Sequence, residues 1–135
     1  VKMTVKFSRV PYGNVQARPF LDAALQRTPS NGQTIEQVLN GGDVYLIHTD
    51  EEAIGATYIE YQDIGYGPMI NVVLLSGNKI HEWRNDYSDF IRELAEKNKT
   101  KYVCVIGRNG WHRIFDELTP IGTIYMADAL PNLNG

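Results

Sequence analysis

The chain has 135 residues, 43% of them hydrophobic, the size and apolar content of one domain around one core. Its 13 basic and 16 acidic side chains leave a net charge of −3, so no global excess of positive charge is available to neutralise a nucleic-acid backbone. The longest apolar run is the strand-sized Val72–Leu75, far short of the roughly 18 to 20 residues of a membrane-spanning helix.

The amino-terminal residues Val1–Phe7 contain no apolar core of signal-peptide length, the pattern of an intracellular, non-secreted protein. Lys2–Phe7 alternates polar and apolar side chains, which predicts a first half-buried strand. Asn14 is a candidate cap for a following helix with apolar positions at Phe20, Leu21, Ala24 and Leu25, bent or broken near Pro19. Thr34 with Gln37 three residues later forms a capping-box pattern for a short helix ending at Gly41-Gly42. Asp43–Thr49 and Ile54–Tyr61 read as strands joined by the short polar Asp50-Glu51-Glu52, hence an antiparallel hairpin. Gly65–Pro68 turns the chain into Met69–Leu75, the central strand, with its apolar run buried on both faces.

From Ile80 to about Asn98 the positions Ile80, Trp83, Tyr87, Phe90, Ile91 and Leu94 follow the spacing of an amphipathic helix. Trp83 and Tyr87 on that stripe read as core rather than as a binding box. Lys101–Ile106 is again a buried-strand pattern; a helix between it and Met69–Leu75 makes the two strands parallel neighbours. Trp111–Leu118 predicts a short helix stopped at Pro120, Ile121–Leu130 a last strand, and 131–135 a short C-terminal tail of the single domain 1–135. Arg108 and Arg113 beside Trp111 read as loop anchors to a neighbouring carboxylate, with contact to an anion at the start of the short helix as the alternative. The single Cys104 has no internal disulfide partner and reads as a small buried side chain. His48, His81 and His112 lack metal-ligand spacing, so no metal site is expected.

This order of elements is similar to that of the GCN5-related N-acetyltransferase (GNAT) fold over nearly the whole chain. Ala53-Ile54-Gly55-Ala56 resembles the start of the third GNAT strand and Leu74-Leu75-Ser76-Gly77 the end of the fourth. Leu75-Ser76-Gly77 before a long helix, with Val105-Ile106-Gly107-Arg108-Asn109-Gly110-Trp111 before a short one, resembles the small GNAT-like proteins of tailed bacteriophages. The resemblance implies an α/β (α+β) fold: a mixed, mostly antiparallel sheet flanked by helices, split where its fourth and fifth strands run parallel.

The resemblance also implies where acetyl-CoA would bind. In catalytic members the loop after the fourth strand reads Gln/Arg-x-x-Gly-x-Gly/Ala, and its amides with the helix N-terminus hold the pyrophosphate. The matching residues here are Leu75, Ser76, Gly77, Asn78 and Lys79, followed by Ile80, His81, Glu82 and Trp83: one glycine, no second small residue at the required spacing, and an acidic side chain in the first helical turn. A tyrosine that often serves as general acid on the short helix is replaced by Phe115 and Asp116. Glu60, Asp63 and His48 are available as bases on the middle strands, with solvated surface groups as the simpler reading, and no catalytic residue is assigned.

These departures favour a catalytically degenerate, phage-encoded protein acting through contacts with other phage or virion proteins, or with itself, as a virion or assembly component. It would reside in the host cytoplasm and in the virion, with no cofactor. The alternative is an acetyl-CoA-dependent N-acetyltransferase acting on an amine by proximity. A third reading is a non-catalytic small-ligand or regulatory module.

Overall fold

A computed structural model describes residues 4–27, 32–63, 65 and 67–105. β1 (Lys6–Val10) pairs antiparallel with β2 (Asp43–His48) from Lys6 opposite His48 to Val10 opposite Val44. The strand thus runs past the Lys2–Phe7 expected: the alternation breaks at the consecutive polar residues Ser8 and Arg9, but pairing with β2 carries the strand on to Val10, just before Pro11. β2 pairs antiparallel with β3 (Ala53–Gln62), β3 antiparallel with β4 (Met69–Gly77), and β4 parallel with β5 (Tyr102–Val105). The five described strands lie in the order β1-β2-β3-β4-β5, the mixed sheet expected.

Helices cover both faces. Pro19 falls in the first turn of α1 (Arg18–Gln26), where its missing N–H leaves no bond unmade, so it starts the helix instead of bending it. Asn14 sits upstream and accepts from the amides of Gln16 and Ala17, each at 3.0 Å. The capping box of α2 (Ile35–Val38) is complete: Thr34 Oγ1 accepts from the Gln37 amide at 3.3 Å, and Gln37 Oε1 accepts from the Thr34 amide at 2.8 Å. These helices bury Ala17, Leu21 and Ile35 against Val44, Leu46, Tyr58 and Leu74.

On the opposite face α3 (Ile80–Lys97) lays Trp83, Tyr87 and Ile91, each at most 4% exposed, on Ile47, Ile59, Ile70 and Val72. The aromatic stripe is core, as its spacing predicts. Tyr87 donates to Thr57 Oγ1 at 2.6 Å, and Thr57 donates to the Leu74 carbonyl at 2.8 Å, so both buried hydroxyls are satisfied.

β5 is more open than its apolar sequence predicts. Tyr102 and Val103 are exposed and Cys104 is half-buried, because the strand begins at the rim of the sheet and only Val105 reaches the α3 cluster. No helix among the described residues is long and apolar enough to cross a membrane. The predicted helix 111–118, strand 121–130, tail 131–135 and the Arg108–Arg113 cluster lie outside the described residues.

Candidate functional site

β4 connects two places where chemistry is possible. At its C-terminal end the five residues singled out by the sequence come together, but their side chains are not equally available. Leu75 and Ser76 are buried, at 2% and 6% exposure. Gly77 lies against Gly55, its register partner on β3, and under the Trp83 ring: a Cβ at Gly77 would meet the Ile54 carbonyl oxygen at 2.6 Å, Trp83 at 2.8 Å and the Gly55 Cα at 3.0 Å. Here glycine is required by close packing between β3, β4 and α3. The Asn78 backbone is committed at both ends, its N–H donating to the Ile54 carbonyl and its carbonyl accepting from Trp83 Nε1, each at 2.7 Å.

What remains for an anion is Lys79 and the first turn of α3. Lys79 is exposed and sits in the left-handed region (φ 56, ψ 40) as the N-cap residue, and no side chain caps the helix amides. That leaves a lysine charge beside the Ile80 and His81 amides at the positive end of a helix dipole, the Glu82 amide already donating to the Lys79 carbonyl at 2.9 Å and the Glu82 carboxylate opposing an incoming anion.

The other place lies toward the N-terminal end of β4. The register between β3 and β4 shifts there: Tyr58 faces Leu74 and Ile59 faces Val72, so Val73 is an extra residue, a β-bulge. The ladder to β5 is described from Met69 opposite Tyr102 to Val72 opposite Val105, the last described residue.

Before the bulge stands a polar row on the α1/α2 face. Glu60 of β3 is opposite Asn71 of β4, and Asn71 is opposite Cys104 of β5. The Tyr58 hydroxyl accepts from the amides of Asn40 (2.9 Å) and Gly42 (3.0 Å) and donates to Glu60 Oε2 at 3.2 Å. Burial pushes the Tyr58 phenol up to about 12, the Glu60 charge adding to it and the two amides opposing, so the phenol stays protonated and keeps donating at neutral pH. Gln62 Nε2 donates to Glu60 Oε1 at 3.0 Å, and Gln62 Oε1 accepts from Asn71 Nδ2 at 3.5 Å. Asn71 is only 7% exposed, and its Oδ1 is buried with no hydrogen-bond partner among the described residues. An orphaned buried acceptor costs about 1–3 kcal/mol. Burial likewise pushes the Cys104 thiol up, holding it neutral.

The remaining sequence candidates do not join this row. Asp63 ties its own turn, accepting from the amides of Gly65 and Gly67 at 2.9 and 3.2 Å. His48 lies at the far end of β2, where its Nδ1 donates to the Thr49 carbonyl at 3.0 Å and its Nε2 therefore accepts from Ser8 Oγ at 2.7 Å. Among the described residues no group of three or more His, Cys, Asp or Glu side chains is arranged to hold a metal. Sequence reasoning offered Glu60 but missed Asn71; the available signal was one amide interrupting the apolar run Met69-Ile70-Asn71-Val72-Val73.

No family model and no curated protein matches the chain. Solved structures do. A ribosomal-protein-alanine N-acetyltransferase from Brucella melitensis biovar Abortus 2308 superposes with a TM-score of 0.65 at 8% identity, over 93% of this chain and 99% of that one. An aminoglycoside acetyltransferase from an uncultured soil metagenomic sample, solved with sisomicin, gives 0.58 at 11% identity, over 92% and 97%. A transcriptional regulator from Bacillus halodurans C-125 gives 0.66 at 7% identity, over 93% and 99%. At such identities the likeness is one of fold. With its helix-covered mixed sheet and parallel β4–β5 pair, the chain has the fold of the GNAT-type acetyltransferases.

Proposed function

We propose that the protein is an acetyl-CoA-dependent N-acetyltransferase. The observation that carries this reading is the GNAT-type fold itself, in which α3 joins the parallel strands β4 and β5 and begins without a side-chain cap at the exposed Lys79. The acetyltransferases among the solved structures of this fold support the assignment. The residues present fit the cofactor in part: Lys79 and the amides of Ile80 and His81 at the start of α3 would hold the pyrophosphate. When bound, acetyl-CoA supplies a thioester carbonyl open to attack by an amine. The protein's share is to align that amine with the thioester and exclude water from it.

A second reading, a GNAT-type domain that works through protein contacts without chemistry, draws on the crowded loop, where Trp83 fills the space above Gly77. The transcriptional regulator among the neighbours lends weight to a regulatory form of it. The virion role expected from the sequence, with its phage partners, draws no support from these neighbours.

Isothermal titration with acetyl-CoA separates the two. Micromolar binding, about −8 kcal/mol, is expected, and Lys79→Glu should weaken it about tenfold, ~1.4 kcal/mol. No heat of binding at several temperatures would overturn the enzyme reading, and an unchanged affinity in Lys79→Glu would overturn the role given to the loop.

A further inference from the structure

Ser8 and His48 meet on β1 and β2, with β3 between them and β4. Ser8 is opposite Leu46, and His48, two residues further along β2, shares the face of Leu46, so the two side chains are diagonal neighbours across the antiparallel pair. His48 donates from Nδ1 to the Thr49 carbonyl at 3.0 Å, which leaves Nε2 as the unprotonated nitrogen, and Ser8 Oγ donates to it at 2.7 Å. A hydroxyl, a base in the accepting tautomer and a third group that orients the base are the parts of an activated nucleophile.

The surrounding backbone holds this order in place. Thr49 closes the β2–β3 turn: its N–H donates to the Glu52 carbonyl at 2.9 Å, and its Oγ1 accepts from the amides of Glu51 and Glu52 at 3.2 and 3.1 Å. The register between β2 and β3 shifts at the same place, Ile47 facing Gly55 and His48 facing Ala53, so Ile54 is an extra residue, a bulge that re-aims the end of the hairpin. Ser8 and His48 are both half-buried, so water reaches them and their bond is not the forced pairing of two buried polar groups. β1 is the edge strand of the described sheet. Alternate N–H groups of an antiparallel strand point away from its neighbour, so either the Ser8 amide or those of Phe7 and Arg9 face outward with no strand partner among the described residues. Lys6, opposite His48 and paired with Asp50, adds positive charge on the Ser8 face.

We propose that Ser8 and His48 form a catalytic site separate from the α3 loop, a serine nucleophile with its general base, for small activated carboxylic esters. Ser8 Oγ attacks the ester carbonyl carbon as His48 Nε2 takes the hydroxyl proton; the bond to the alcohol oxygen breaks, and the alcohol leaves with that proton. Water, giving a proton to His48, then attacks the acyl-Ser8 ester, and the acid leaves as Ser8 Oγ takes the proton back. The outward amides of β1 stabilise the carbonyl oxygen as it becomes charged. A half-buried pair at an open edge offers a substrate little to bind beyond its reacting group, which is why the ester must be small and activated. The site stands whether or not the chain binds acetyl-CoA.

The test is a fluorophosphonate, whose phosphorus bonds to the oxygen of an activated serine with loss of fluoride, incubated with the full chain at neutral pH and located by peptide mass spectrometry. One phosphonyl group on Ser8 is expected. His48→Gln should slow its appearance about a hundredfold, the lower end of what a positioned general base contributes. Hydrolysis of p-nitrophenyl acetate should follow the same ranking and be lost in Ser8→Ala, with an acetyl group found on Ser8 when the wild-type reaction is quenched. No label on Ser8, or a wild-type labelling rate in His48→Gln, would overturn the proposal. If His48→Gln fails to fold by circular dichroism, Ser8→Ala decides: undiminished ester hydrolysis in that variant sinks the assignment.

Discussion

Gly77→Ala tests whether the one glycine of the β4–α3 loop serves packing or a phosphate. Its new Cβ would stand 2.6 Å from the Ile54 carbonyl oxygen, 2.8 Å from Trp83 and 3.0 Å from the Gly55 Cα. Two of those neighbours are backbone, and the Ile54 carbonyl also accepts from the Asn78 amide at 2.7 Å, so relief requires parting β3 from β4. Overpacking of this kind costs about 1–3 kcal/mol, and losing the Asn78 bond about 1 kcal/mol more. The smaller backbone entropy of the unfolded alanine chain returns about 0.4–1 kcal/mol. The net loss is about 1–3 kcal/mol, which at roughly 4 °C per kcal/mol lowers the melting temperature by about 4–12 °C. Circular dichroism melts of wild type, Gly77→Ala and Gly13→Ala measure it. Gly13 serves as control because a Cβ there meets nothing within 4 Å. A Gly77→Ala protein that melts like wild type but no longer binds acetyl-CoA would refute the packing argument and return the glycine to the ligand.

Lys79 holds a left-handed conformation that costs a residue with a Cβ about 1–2 kcal/mol, so Lys79→Gly should gain about 0.5–1 kcal/mol in urea unfolding after the entropy of the unfolded glycine is subtracted; a loss would show that the lysine side chain stabilises the loop. Burial raises the phenols of Tyr58, to about 12, and Tyr87 above the unfolded tyrosine value near 10. Their contribution is therefore fully present below pH 10. Above it the unfolded chain releases these protons first, so stability should fall by up to about 1.4 kcal/mol per pH unit for each phenol. Denaturant melts from pH 8 to 11.5 should show this decline, and Tyr87→Phe should reduce its slope while costing about 1 kcal/mol at pH 7 through the lost bond to Thr57. A Tyr87→Phe protein with the wild-type alkaline slope would contradict the assignment.

Much of the fold was legible because its signals are periodic and local. The spacing of Trp83, Tyr87 and Ile91 fixes the buried face of α3, and the Thr34–Gln37 box fixes the start of α2. Pro19 misled because the same residue bends a helix interior and begins a helix, and only the position of the first turn distinguishes the two. The Val73 bulge was invisible because four consecutive apolar residues, Val72–Leu75, look alike in any register. For the same reason the Glu60–Asn71 pairing, which follows from that register, was not available: Glu60 read as one solvated carboxylate among several until β4 placed an amide opposite it.

The two ends of β4 differ in how completely the protein satisfies itself. At the α3 end, Trp83 fills the space over Gly77 and its indole N–H takes the Asn78 carbonyl, while the Asn78 amide is held by Ile54. An aromatic ring thus occupies the volume over the one glycine of the loop. At the bulge end Glu60 is held by Tyr58 and Gln62, while Asn71 leaves its Oδ1 without a partner among the described residues. Replacing Asn71 with leucine should therefore stabilise the fold by up to about 1–3 kcal/mol, and a lower melting temperature in Asn71→Leu would contradict the reading of that oxygen as orphaned.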